Sequence, residues 1–408
     1  MKVGTSESDE EHEEGDNVFY EFDDKFCYDE DLSFLDFHAN RMMRENIGNE
    51  ISKSYEELGN RTKGLKKSKK KILSYMPGSW IEKVDSMKLS DYDVPQTTSL
   101  ILVGPKRSGK SCLINRISRV FEVDKFAPER AQVSYNDSVE EPNVGDGTLF
   151  LHKYMIPRGS SSFCLYDTRS LSNDSHENFK MLEHWMTKGV CHGELVIRDS
   201  DSLSLRTRMK FKAYKKGCMS NERNKVNFVV FVVNGYSVLK SIHAKDEDKQ
   251  YVEQIASAFN CPFVSFRDDK PLVVVTHGEL LETFDRVYVR LYLGKLLSIS
   301  PTKQIFDIPG TPDPETDVVI LDMLHAALER ADKNLPPKPF MNKLFLLLHK
   351  MPLQCHMVLP LFQSSNFWLL MVLGIAILLA MVLRGYIYQQ VSPKQDVQWH
   401  KIRHLWLG

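Results

Sequence analysis

Eight consecutive residues, Gly104-Pro105-Lys106-Arg107-Ser108-Gly109-Lys110-Ser111, set two glycines, a lysine and a hydroxyl at a spacing that suits one task. Gly104 and Gly109 let the backbone turn its N–H groups toward an anion, and a helix starting at Lys110 would aim its positive end the same way. Lys110 is then placed to neutralise β- and γ-phosphates and the Ser111 hydroxyl to bind Mg2+. Pro105 to Ser108 complete the cradle, and Cys112 follows in the first helical turn. The string satisfies GxxxxGK[ST] in full. It lies between the apolar run SLILV and the amphipathic CLINRISRVF, the strand–loop–helix setting such a loop needs.

Mg2+ takes hard oxygen ligands, few of them from protein. Asp167, closing the run SSFCLY, is placed to hold the ion through a water, and Thr148, in GDGTLFL, to supply a hydroxyl that senses the γ-phosphate. The literal DxxG of the chain, Asp307-Ile-Pro-Gly310, comes too late in chain order for a phosphate switch and is expected to close over the nucleotide base. Base selection is expected at Thr276-His277-Gly278-Glu279. A carboxylate at Glu279 can accept the N1 and N2 protons of guanine together, a pair adenine does not offer, and His277 can cover the base face. GTP is the expected ligand, with an ATP-using P-loop NTPase or kinase as the alternative.

These residues need a scaffold that brings loop ends together. Apolar runs at Ser99–Val103, Leu149–Ile156, Ser162–Tyr166, Phe228–Val233, Leu272–Val275 and in QIFDI alternate with amphipathic helical patterns. That alternation predicts an α/β, P-loop NTPase fold: a doubly wound, mostly parallel sheet with helices on both faces. It spans 91–335, and Gly193–Lys225, rich in Arg and Lys, is expected to be an insertion.

The rest of the 408 residues is segregated by charge, although the net charge is only −1. Residues 1–40 are acidic with aromatics interleaved, a disordered tail or a docking motif for a protein partner. They lack the apolar core of a secretory signal and the basic make-up of a transit peptide. Residues 41–90 are expected as a polar and basic linker containing the run RTKGLKKSKKK. No base-reading or stacking platform accompanies that run, which speaks against nucleic acid. Seven scattered cysteines without CxxC spacing suit a reducing compartment and argue against a structural zinc site. Residues 336–366 are expected as a juxtamembrane, interfacial segment. Phe367–Leu383 is an unbroken apolar run, about 25 Å long as a helix. With Gly385–Ile387 it predicts a single C-terminal transmembrane helix over 367–387, a short tail at 388–408, and a cytosolic nucleotide domain. Basic flanks at Arg384, Lys394, Lys401 and Arg403 suit an outer organelle membrane or the endoplasmic reticulum.

Taken in order, GPKRSGKS, YDTRSL, FVVFVVNG and VVVTHGE resemble the TRAFAC-type GTPases. More closely, they resemble the interferon-inducible, antiviral-like P-loop proteins and their plant P-loop NTPase relatives. The threonine-histidine base motif is similar to that of the chloroplast import receptor and immune-associated GTPases, several of which are tail-anchored. The resemblance implies a switch at Asp167-Thr168-Arg169-Ser170, with Ser170 in the place of a glycine whose N–H meets the γ-phosphate. It puts Leu171 where a residue often orients the attacking water, and Thr276 where asparagine is usual. Leucine cannot orient water, so hydrolysis is expected to be slow until a homodimer or another partner completes the site, with Arg107 and Arg169 the candidates to reach across. Ser170→Gly and Leu171→Gln are then expected to raise turnover. A nucleotide-bound scaffold that does not hydrolyse is the remaining alternative.

Overall fold

The computed structural model describes residues 34–81, 88–122, 124, 126–133, 148–216, 222–243, 249–266, 269–336 and 338, with the backbone alone at 34–41 and 214–216. The chain divides into the units Met1–Pro336 and Pro337–Gly408, and every element below belongs to the first. It opens with helices α1 (Phe34–Glu56), α2 (Leu58–Arg61) and α3 (Leu65–Leu73). Strand β1 (Thr98–Val103) leads through the glycine loop into α4 (Lys110–Phe121). Then come β2 (His152–Ile156), β3 (Phe163–Asp167), α5 (Ser175–Lys188) and α6 (Leu203–Lys216). The chain continues through β4 (Phe228–Asn234), α7 (Gly235–His243), α8 (Gln250–Phe259), β5 (Leu272–Thr276), α9 (Thr283–Leu297), β6 (Ile305–Asp307) and α10 (Pro314–Lys333).

The six strands form one sheet in the order β2-β3-β1-β4-β5-β6. Only β2 runs antiparallel to its neighbour; the other four pairings are parallel. Alternation of side chains along a strand sends neighbours to opposite faces. Ile101, Val103, Phe231, Val233 and Val275 face α5, α7, α8 and α9, while Leu100, Leu102, Val230, Val232 and Val274 face α3, α4 and α10. Both faces are covered, which is why the strand sequences are continuous hydrophobic runs rather than alternating ones. The chain leaves β3 on one side of β1 and resumes at β4 on the other. Ligands of such sheets sit beyond the carboxyl ends of the strands at this reversal. Registers Asn234↔Thr276 and Val275↔Asp307 put the ends of β4, β5 and β6 on the same edge as Gly104.

The stretch read as a linker, 41–90, is largely part of the fold. α1 packs on α9, and α2 and α3 pack on α10, burying Ile51, Leu58, Ile72 and Tyr75. Burial of each such side chain contributes about 1.5–3 kcal/mol. The segment after α3 is latched by Asp332, which accepts from Tyr75 Oη at 2.7 Å, Gly78 N at 2.8 Å and Trp80 N at 2.9 Å. Those bonds satisfy a carboxylate that is 1% exposed. The basic run belongs to this arrangement too: Arg61 pairs with Asp322 at 2.5 Å and Lys71 Nζ meets His325 Nε2. Composition hid this packing because a helix needs only a few apolar positions to dock, and α3 offers them at Leu65 and Ile72 among five lysines. α1 also begins inside the stretch expected as a tail. Residues 1–33 and the segment 339–408, with the run 367–387, lie outside the described residues. Among the described residues no helix is long and apolar enough to cross a membrane.

Candidate functional site

Gly104 follows β1 where the chain passes close to β4: a Cβ there would lie 2.0 Å from the Val232 carbonyl oxygen, so only glycine fits. Arg107 and Gly109 have φ of 61° and 84°, the left-handed conformations that curl the loop back toward α4. Pro105 and Ser108 are buried, whereas Lys106, Arg107 and Cys112 are exposed. Lys110 turns back into this curl, donating to the carbonyls of Gly104 and Pro105 at 3.0 Å each and to Ser170 Oγ at 3.3 Å. Burial pushes its ammonium down to about 8; the nearby Asp167 carboxylate opposes that shift and the Arg198 charge adds to it.

Three oxygens meet beside it. Ser111 Oγ donates to Asp167 Oδ2 at 2.6 Å, Thr148 Oγ1 donates to the same oxygen at 3.2 Å, and the two hydroxyls lie 3.4 Å apart. Asp167 is 2% exposed and its Oδ1 has no hydrogen-bond partner among the described residues. Burial raises its carboxyl above the ordinary value, against the Ser111 bond and the Lys110 charge. A buried carboxylate with a spare oxygen between two hydroxyls is a donor set that fits a hard divalent cation, whose charge would reverse the upward shift.

At the far end of β5, Thr276 ties loop to loop. Its Oγ1 donates to the Ser108 carbonyl at 2.9 Å and packs on Gly109, while His277, at φ 60°, brings Nδ1 within 2.8 Å of it. Glu279 is exposed and its Oε2 accepts the Gly310 N–H at 2.6 Å. The carboxylate expected to read the base therefore touches the loop expected to close over it. Asp307, the first residue of that DxxG string, is engaged elsewhere: Arg286 Nε and Tyr55 Oη donate to its Oδ2 at 2.6 and 2.8 Å. A cavity of about 450 Å³ opens beside these loops, lined by Gly278, Glu279, Asp307 and Thr311, and none of Gly104–Ser111 lines it.

Two expectations fail at the switch. Arg169, a candidate to reach across to a partner, is held within its own chain. It is buried, donates to both oxygens of Asp201 at 2.7 and 2.5 Å, and also bonds the Val196 carbonyl. Leu171 does not face the loop either. It is 4% exposed in the core cluster of Met181, Leu182 and Trp185, with its N–H on the Gly104 carbonyl at 3.0 Å. Ser170 lies between them with ordinary negative φ.

One residue that the sequence did not single out is Arg198. Its Nη2 donates to the Ser170 carbonyl, and its Nε is buried without a partner among the described residues. Burial lowers its guanidinium to about 10, with Arg169 adding to the shift and Glu177 and Asp201 opposing it. It arrives there because residues 193–196 form a short ladder with 149–151: Gly193 N donates to Leu151 O at 2.7 Å, Leu151 N to Glu194 O at 2.9 Å, and Val196 N to Leu149 O at 3.3 Å. The same segment thus borders Thr148 on one side and holds Ser170 on the other. No local motif announces such a pairing.

No family model matches the chain, and no curated protein matches it. Among solved structures, the signal recognition particle receptor SRb-GTP/SRX complex from Chaetomium thermophilum is similar over 54% of this chain and 93% of that chain, with 12% sequence identity and a TM-score of 0.24.

Proposed function

We propose that the chain is a guanine-nucleotide-binding P-loop protein that works as a switch, hydrolysing GTP slowly until a second copy or another partner completes the site. The observation that carries this reading is the meeting of Lys110, Ser111, Thr148 and Asp167 at the glycine loop, with Asp167 Oδ1 left without a partner. Backbone N–H groups of the loop and the Lys110 ammonium would hold the β- and γ-phosphates. Ser111, Thr148 and Asp167 would hold Mg2+, which supplies charge neutralisation between those phosphates. Guanine presents an acceptor at O6 beside donors at N1 and N2. The adjacent Gly310 N–H and Glu279 carboxylate offer the complementary pair, and inserting the base would exchange their mutual bond for two better matched ones.

Slow unaided turnover is supported by what is missing around Ser170. Leu171 is in the core and Arg169 is bound to Asp201, so neither orients water nor offsets phosphoryl charge. Arg107 stands exposed on the loop, where a partner can use it. The same two facts favour the non-hydrolysing scaffold as the second reading. Residues 367–387 would anchor the chain in an outer organelle membrane or the endoplasmic reticulum; carbonate extraction is expected to leave it in the membrane pellet, and its release would contradict the anchor.

The test is competition of GTP and ATP for a fluorescent nucleotide on the full chain in detergent, followed by turnover across protein concentration. GTP is expected to displace the probe at lower concentration than ATP, Glu279→Gln to cut that preference by about tenfold or more, and turnover per molecule to rise with concentration. Equal competition by ATP would refute guanine reading. Binding with no turnover at any concentration would leave the scaffold.

A further inference from the structure

Helix α6 has one face in the fold and one outside it. Met209 is fully buried and Leu205 and Ala213 are partly buried, against Leu149 and Phe150. At about 100° per residue the opposite face carries Leu203, Thr207 and Phe211. Leu203 is 82% exposed and Phe211 65%. Lys210 flanks this stripe on one side, Arg208 and Lys212 on the other, all exposed. Six of the fourteen residues of α6 are cationic (Arg206, Arg208, Lys210, Lys212, Lys215 and Lys216) and none is acidic.

Folding does not require a leucine and a phenylalanine in water between cations; docking does. An anionic bilayer surface matches both halves of the pattern, with apolar side chains entering the acyl boundary and ammonium groups remaining among the headgroups. A polyanion such as nucleic acid would use the cations but gains nothing from Leu203. The chain's own apolar run from Phe367 to Leu383 is a second, independent sign of a membrane nearby. We propose that the outward face of α6 docks on the surface of a membrane containing anionic lipid. This does not depend on the nucleotide reading.

The test is backbone hydrogen exchange of 203–216 in the full chain, purified in neutral detergent and reconstituted into vesicles of phosphatidylcholine alone or with phosphatidylserine. Exchange is expected to slow in the phosphatidylserine vesicles only. A K210Q/K212Q variant should lose roughly thirtyfold of that protection, each cation near such a surface contributing about fivefold. L203S/F211S should remove it, while peptides from β1, β4 and β5 exchange as in the parent, showing an intact fold. Equal exchange on the two lipids would overturn the proposal. So would protection already present in detergent, which would assign the face to the acidic segment 1–40 or a second copy, and so would protection that only added RNA produces.

Discussion

Replacing Leu171 with glutamine separates two accounts of the switch. If spacing alone sets the role of this position, Leu171→Gln supplies a water-orienting amide and turnover rises. The structure predicts damage instead. Leu171 is 4% exposed beside Met181, Leu182 and Trp185. Losing its burial costs about 1.5–3 kcal/mol. Placing an amide there without partners adds about 1–3 kcal/mol. A total near 4 kcal/mol is a large share of the ~5–15 kcal/mol that holds a domain together. For a domain of this size it lowers the melting temperature by roughly 10 °C. Ser170→Gly serves as the companion. Ser170 does not use a positive φ, so glycine relieves no strain and loosens the unfolded chain at a cost of about 0.5–1 kcal/mol. The assay is urea denaturation of each variant with GTP turnover measured on the folded fraction. A Leu171→Gln protein with the parent midpoint and faster turnover would show that this side chain faces the phosphates, and the core assignment would be wrong.

Two further outcomes follow from the cations of the site. Lys110→Met should abolish nucleotide binding and also remove a pH dependence of stability, since folding depresses the ammonium from 10.5 to about 8. The unfolded chain binds the extra proton between those values, so parent stability rises relative to the variant from pH 8 toward 10.5; melting curves across that range check it, and a constant difference between the two proteins would contradict it. Arg198→Gln should slow turnover about a hundredfold while leaving GTP affinity within a few-fold, because it acts by holding the Ser170 carbonyl. Partial rescue by Arg198→Lys is expected, and an equal loss of affinity and rate would reduce Arg198 to a structural role.

The glycine loop was legible because its chemistry is local: a turn, a lysine and a hydroxyl within eight residues specify each other before any tertiary contact forms. The positions of Asp167 and Thr276 at strand ends were legible for a related reason, each ending an apolar run that could only be a buried strand of the same sheet. Leu171 and Arg169 were not, because the direction a loop side chain takes is set by whatever stands beside the loop. Here that neighbour is the segment 193–201, read from sequence only as part of a polar insertion. Its Asp201 takes Arg169, and its Arg198 takes the Ser170 carbonyl. Its Ser200 holds Glu177 of α5 through N–H and Oγ, at 2.7 and 2.8 Å. With Arg169 held on one side and α5 fixed on the other, Leu171 points into the core instead of toward the loop. The placements of residues 169 and 171 thus have one physical source, and a segment that binds Ser170 while laddering to 149–151 beside Thr148 ties the stretch carrying Thr148 to the one carrying Ser170. A partner that moved 193–201 would therefore alter Arg169, Ser170 and Thr148 together, and the proposed stimulation is expected to act through this segment more than through any single side chain around Ser170.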